Sequence, residues 1–133
     1  IPNQILYSVD MKTSPFPGFP TDLQAPFMAL MATTNGISKI KETVFENRMH
    51  HVKELNRMGA KITLKDNIAK VIGVENLHGR KVIGSDLRAT AALALAGLSA
   101  NGKTIVKGLE HLERGYEDFS EKFQKLGATI LKK

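Results

Sequence analysis

The chain has 133 residues, 42% of them hydrophobic and 24% charged, which fits one ordinary globular domain with a core of modest size. It has no cysteine, so disulfides, thiolate metal sites and cysteine nucleophiles are excluded within these residues, and no apolar run approaches the roughly 20 residues that cross a bilayer. The formal net charge of +6 suits an anionic partner (nucleic acid, an acidic surface or a phosphorylated small molecule), or equally a well-solvated surface with no partner.

Taken in chain order, the first twenty residues carry the Pro-rich run SPFPGFP, which predicts an extended lead-in with a strand over residues 6–12. No basic stretch followed by an apolar run reads as a signal peptide. An opening Ile1-Pro2 without methionine is what a chain processed or cut from something longer would show. Leu23, Phe27, Leu30, Met31 and Thr34 then recur at helical spacing, with Thr21 as the expected N-cap, Asp22 in the first turn and Gly36 at the end. The β-like segment ISKIKETVF follows. Met49, Val52, Leu55 and Met58 form the apolar stripe of a second helix, ended by Gly59. Short β-branched segments at 61–64, 70–74 and 81–84 read as strands.

The pattern then restarts. Ser85 is the expected cap and Asp86 the first-turn acid, and the run ATAALALAGLSA predicts a helix buried on nearly every side, closed at Gly102. The β-like segment KTIVKGLEHL follows, then a stripe of Tyr116, Phe119, Phe123 and Leu126 ended by Gly127, then a strand at 129–131. TDLQ matches SDLR, Asn35-Gly36 matches Asn101-Gly102, Arg48 matches Arg114, and LNRMGAKI matches FQKLGATI, all in one order. Helices alternating with strands in two similar units predict a layered α/β architecture with a mixed sheet. Residues 1–75 form the first unit and residues 76–133 the second, and the two share one core.

The chemistry-bearing residues fall at equivalent places in both units. Asp22 and Asp86 lie at helix starts, and Arg48 and Arg114 lie after a strand, where backbone N–H groups and the positive helix end converge. Arginine forks there suit a carboxylate or phosphate, and a nearby aspartate suits a base or an acceptor for a sugar hydroxyl. The alternative is that both acids simply stabilise their helices through the dipole. No P-loop, GxGxxG, GxSxG or HExxH pattern is present, and no histidine pair has ligand spacing, so no metal site is expected; the histidines are expected to face solvent. Met28, Met31, Met49 and Met58 read as core filler.

Four segments together, PGFPTDLQAPF, ETVFENRMHHVKEL, GSDLRATAALALAGL and HLERGYEDFSEKFQKLGA, resemble the enolpyruvyl transferases, and among them the UDP-N-acetylglucosamine 1-carboxyvinyltransferases. The resemblance runs from about Thr13 to the C-terminus and implies two consecutive βαβαββ units of one domain of a larger two-domain enzyme (an inside-out α/β barrel), with this chain a C-terminal fragment. It implies transfer of the enolpyruvyl group of phosphoenolpyruvate to the 3′-hydroxyl of UDP-N-acetylglucosamine, in cytoplasmic peptidoglycan precursor synthesis, with no cofactor. By motif match, Asp22 would contact the nucleotide sugar and act as general base. Val44 would also contact the nucleotide sugar, Arg114 would bind phosphoenolpyruvate, and Arg48, Asp86 and Arg88 would line the cleft. The family's mobile-loop cysteine has no counterpart here, so the fragment alone is expected to be inactive. Its partners would be the two substrates and the rest of the parent chain, without nucleic acid or membrane, and its cut surfaces would favour self-association. The competing reading is a basic anion- or nucleic-acid-binding module without catalysis.

Overall fold

A computed structural model describes residues 5–46 and 48–132; Asn47 of the FENR motif lies outside them. Strand β1 (Met11–Lys12) leads through a 3-10 turn (Thr21–Leu23) into helix α1 (Gln24–Met31) and strand β2 (Ile37–Lys41). Helix α2 (His51–Arg57) and the hairpin β3 (Lys61–Lys65) and β4 (Ile68–Ile72) follow. These strands form one mixed sheet in the order β1-β2-β4-β3, with β1 parallel to β2 and the other pairs antiparallel. Side chains alternate faces along a strand. The register sets Ile40 against Ala69 and Ile62 against Val71, and this apolar set is buried while its lysine neighbours stay outside.

Beyond β4 come β5 (Lys81–Ile83), α3 (Leu87–Ser99), β6 (Ile105–Lys107), α4 (Leu109–Gly115) and α5 (Phe119–Lys125). Strands β5 and β6 pair in parallel, with Val82 opposite Val106. The chain therefore has the α/β fold class expected of it, with mixed sheets and helices packed beneath them. A single core runs through both halves, from Met28, Ile40 and Leu55 to Leu77, Val82 and Leu93. Helix α1 packs along α3. Each presents a buried row of small residues (Ala25 and Ala29 with the C-cap Ala32 on one, Ala89, Ala92 and Ala96 on the other), which lets the two backbones approach closely. All four methionines read as core filler are buried.

Several expected elements come out differently. The expected strand at 6–12 keeps only Met11–Lys12 and an isolated Tyr7–Asn35 bridge. Strand β2 stops at Lys41, because Glu42 turns inward and takes hydrogen bonds that a ladder would otherwise use. Residues 129–131 form no strand; their counterpart β3 is held by β4, and nothing among the described residues of the second half corresponds to β4. Helix α3 is not covered all round, since Leu98 is exposed. The stripe Tyr116, Phe119, Phe123 and Leu126 is split. Tyr116 precedes the helix, and α5 buries none of its residues, although Tyr116, Phe119 and Phe123 stack in series. No helix among the described residues is long and apolar enough to cross a membrane.

Candidate functional site

The two first-turn acids, alike in sequence, do different things. Asp86, not Ser85, is the N-cap of α3: its backbone is extended and its Oδ1 accepts from the Ala89 N–H at 2.9 Å. That is the helix-stabilising role, worth on the order of 1 kcal/mol. Asp22 caps nothing. Neither Pro20 at the start of the 3-10 turn nor Thr21 caps through a side chain, and the Thr21 hydroxyl instead donates to Glu42 Oε1 at 2.7 Å.

The Asp22 carboxylate faces the second half of the chain. Its Oδ1 accepts from Arg88 Nε and lies 3.7 Å from Arg48 Nη1. Among the described residues Oδ2 has no partner, and the side chain is 64% exposed. Arg48 is held from behind by Phe45, whose ring centroid lies 4.0 Å from the guanidinium carbon. Three residues from three elements (the 3-10 turn, the loop before α2, and the first turn of α3) thus meet on one rim. The expected arginine pair was Arg48 with Arg114; the observed pair at Asp22 is Arg48 with Arg88.

Arg114 does not sit at a strand-to-helix junction. It lies in the last turn of α4, exposed, and has no ion pair or side-chain hydrogen bond among the described residues. The segments after β2 and β6 differ for a local reason. Thr43 and Val44 are β-branched and tied down, Thr43 by Thr13 and Val44 by Glu42, whereas Leu109–Gly115 is made largely of helix formers anchored by buried Leu112. The chain neighbours of Arg114, Gly115 and Tyr116, line an apolar hollow together with Leu23, the chain neighbour of Asp22. Val44 is half-buried, and its N–H donates to Glu42 Oε2 at 3.0 Å.

Behind the rim lies a small hollow, about 10 Å³, lined by Thr21, Gln24, Arg48, His51, Asp86 and Arg88 among others. Gln24 Oε1, Arg48 Nη1 and His51 Nε2 are buried and have no hydrogen-bond partner among the described residues. The hollow therefore offers inward-facing donor and acceptor capacity to a small polar group. His51 was expected to face solvent, but it is only 3% exposed. It begins α2 on the core side, one position before Val52 of the buried stripe. Burial pushes its imidazole down to about 4, with Asp86 and Glu42 pulling it up and His50 adding to the depression.

A histidine held neutral in the fold is charged more readily when unfolded, so the unfolded chain binds the extra proton between pH 6.5 and 4. Stability is accordingly expected to fall by roughly 3 kcal/mol as pH drops through that window. Glu42 adds a further loss at lower pH, because its carboxyl sits below the ordinary glutamate value. Burial acts to raise it, but the hydrogen bonds from Thr13, Thr21, Val44 and Phe45 outweigh that effect. Urea midpoints measured from pH 7 to 4 check this: the slope should be largely lost in His51→Gln and kept in His50→Gln.

Glu42, Gln24 and His51 escaped sequence reasoning. An acid two residues past a strand's last inward apolar position, followed by a threonine, is the one available signal for Glu42.

The chain belongs to the carboxyvinyl (enolpyruvyl) transferase family: the family profile EPSP synthase (3-phosphoshikimate 1-carboxyvinyltransferase) matches residues 3–123. Within it, the chain is 64% identical over 130 residues to UDP-N-acetylglucosamine 1-carboxyvinyltransferase 2 of Prochlorococcus marinus, covering 98% of this chain and 30% of that protein. It is 57% identical to UDP-N-acetylglucosamine 1-carboxyvinyltransferase of Trichormus variabilis, covering 99% of this chain and 30% of the relative. Among solved structures it is similar to the enolpyruvyl transferase NikO from Streptomyces tendae, with a TM-score of 0.87, 32% identity, and coverage of 97% of this chain and 30% of that one. It shares the fold of EPSP synthase from Acinetobacter baumannii, with a TM-score of 0.65 at 18% identity over 93% of this chain and 28% of that one. The chain thus spans about 30% of the length of the curated relatives it matches.

Proposed function

We propose that this chain supplies the acid-and-arginine side of the cleft of a UDP-N-acetylglucosamine 1-carboxyvinyltransferase. In that reaction the enolpyruvyl group passes from phosphoenolpyruvate to the sugar 3′-hydroxyl, and phosphate leaves. The observation that carries this reading is Asp22. It is an aspartate that caps no helix, with Oδ1 engaged by two arginines and Oδ2 open at an exposed rim. The arginines orient the carboxylate, and its open oxygen is placed to accept the proton of an approaching hydroxyl. The names of the relatives supply the acceptor.

Val44 contributes to the nucleotide-sugar side from the loop that Glu42 fixes. Exposed Arg114 reaches phosphoenolpyruvate, whose phosphate and carboxylate suit a guanidinium fork. Arg48 and Arg88 line the cleft and hold Asp22, and Asp86 serves it indirectly by starting α3 one residue before the helix that carries Arg88. The division into units at 1–75 and 76–133 is supported by two sheets that share no strand. The reaction belongs to cytoplasmic peptidoglycan precursor synthesis in the full-length protein. The chain alone, holding one wall of the site, does not turn over, and its uncovered aromatic stripe favours self-association.

The test is which acceptor the full-length protein uses. With phosphoenolpyruvate present, product mass should show the carboxyvinyl group on UDP-N-acetylglucosamine and not on 3-phosphoshikimate.

A further inference from the structure

One buried side chain ties together everything that faces the rim from the first half of the chain. Glu42 is 2% exposed and lies just past β2. Its Oε2 accepts from the Thr13 hydroxyl at 2.7 Å, the Val44 N–H at 3.0 Å and the Phe45 N–H at 3.3 Å. Its Oε1 accepts from the Thr21 hydroxyl at 2.7 Å and Gln24 Nε2 at 3.2 Å. Five donors reach it from four places: the lead-in after β1, the turn carrying Asp22, the first residue of α1, and the loop carrying Val44.

The network continues outward. Thr13 Oγ1 also accepts from the Thr43 N–H at 2.8 Å, and Gln24 Nε2 also donates to the Arg48 carbonyl at 3.2 Å. Phe45, whose N–H Glu42 holds, is the ring beneath Arg48. A carboxylate so surrounded acts as a clamp, because each charge-assisted bond is about twice as strong as a neutral one and moving any of these segments away takes a donor from a buried charge.

We infer that Glu42 is a positioning residue for the proposed reaction. It touches no substrate; it sets the Val44 loop, the Phe45–Arg48 stack and the Asp22 turn in fixed relation to one another. The inference rests on the reading of Asp22 and Val44 given above. Its predicted signature is selective: disturbing Glu42 damages the sugar-nucleotide side of the cleft and spares the contact made by Arg114, which lies on α4 and has no tie to Glu42.

The experiment is Glu42→Gln in the full-length protein, which keeps shape but replaces one acceptor oxygen with a donor. Amide exchange at Val44 and Phe45 should quicken roughly 10-fold or more, with Ile40 and Leu55 unchanged. KM for UDP-N-acetylglucosamine should rise roughly 10-fold and kcat should fall comparably, with KM for phosphoenolpyruvate within about 2-fold of wild type. Unchanged exchange at Val44 and Phe45, or equal rises in both KM values, overturns the inference. Should Glu42→Gln fail to fold, Thr21→Val, which removes one donor, decides: the same selective pattern in weaker form supports the inference, and its absence overturns it. If the wild-type protein transfers no carboxyvinyl group, the proposed function fails, and the exchange arm alone still decides whether Glu42 clamps the loop.

Discussion

Asp22→Asn in the full-length protein is expected to lower the rate of carboxyvinyl transfer by about 10²–10⁴-fold while the fold stays intact. The size follows from the proposed role. A sugar hydroxyl is a poor nucleophile at neutral pH, and a carboxamide of the same shape cannot take its proton. The intact fold follows from the geometry. Asp22 caps no helix and is mostly exposed, and its contacts are ion pairs at a solvated surface, which contribute little to stability. Asp86 is the built-in contrast. Asp86→Ala removes the N-cap of α3 and should cost stability on the order of 1 kcal/mol. Steady-state rates and urea midpoints on the two variants check the pair. Near-normal turnover in Asp22→Asn would remove it from the catalytic list.

The largest effect on stability is expected from Gly73→Ala. Gly73 follows β4, and its N–H donates to the Gly36 carbonyl at 2.9 Å. A Cβ there would stand 1.6 Å from the Thr34 carbonyl oxygen, which belongs to the turn leading from α1 to β2. The clash is with backbone, so no side-chain rotation relieves it; either β4 or that turn must move, and both border the core. A loss above about 4 kcal/mol, or failure to accumulate folded protein, is expected. Gly102→Ala sets the scale from the other side. Its φ is +85° but nothing lies within 4 Å of its Cβ, so only backbone strain is incurred, about 1–2 kcal/mol. Unfolding midpoints of both variants check the contrast, and a Gly73→Ala midpoint close to that of Gly102→Ala would contradict it.

Much of the fold was legible because periodicity reports burial directly. Met49, Val52, Leu55 and Met58 are all buried as their spacing implies, and they join a single core. The failures occur where one polar group overrides local preference. The run ISKIKETVF reads as nine residues of strand, yet it ends at Lys41 because Glu42 collects the amides of Val44 and Phe45. LEHLERG follows a strand in sequence and forms a helix because Leu112 finds a place in the core. At the site, the residues Asp22, Arg48 and Arg88 were legible as types and positions, but their partnership was not. The repeat suggested that like positions act alike, whereas Asp86 turns back to cap its own helix and Asp22 turns outward to the other half. His51 was missed because adjacent histidines at a helix start carry no sign of which one points inward. Pairing across units is a property of how two helices pack, and a single chain's spacing does not encode it.

The central claim is that the Asp22–Arg48–Arg88 rim receives a sugar nucleotide. A single competition measurement tests it most directly: offer the full-length protein phosphoenolpyruvate with equal UDP-N-acetylglucosamine and 3-phosphoshikimate, and weigh the products. The predicted result is carboxyvinyl-UDP-N-acetylglucosamine alone, with its formation lost in Asp22→Asn. Transfer to 3-phosphoshikimate, or undiminished transfer by Asp22→Asn, would contradict the account.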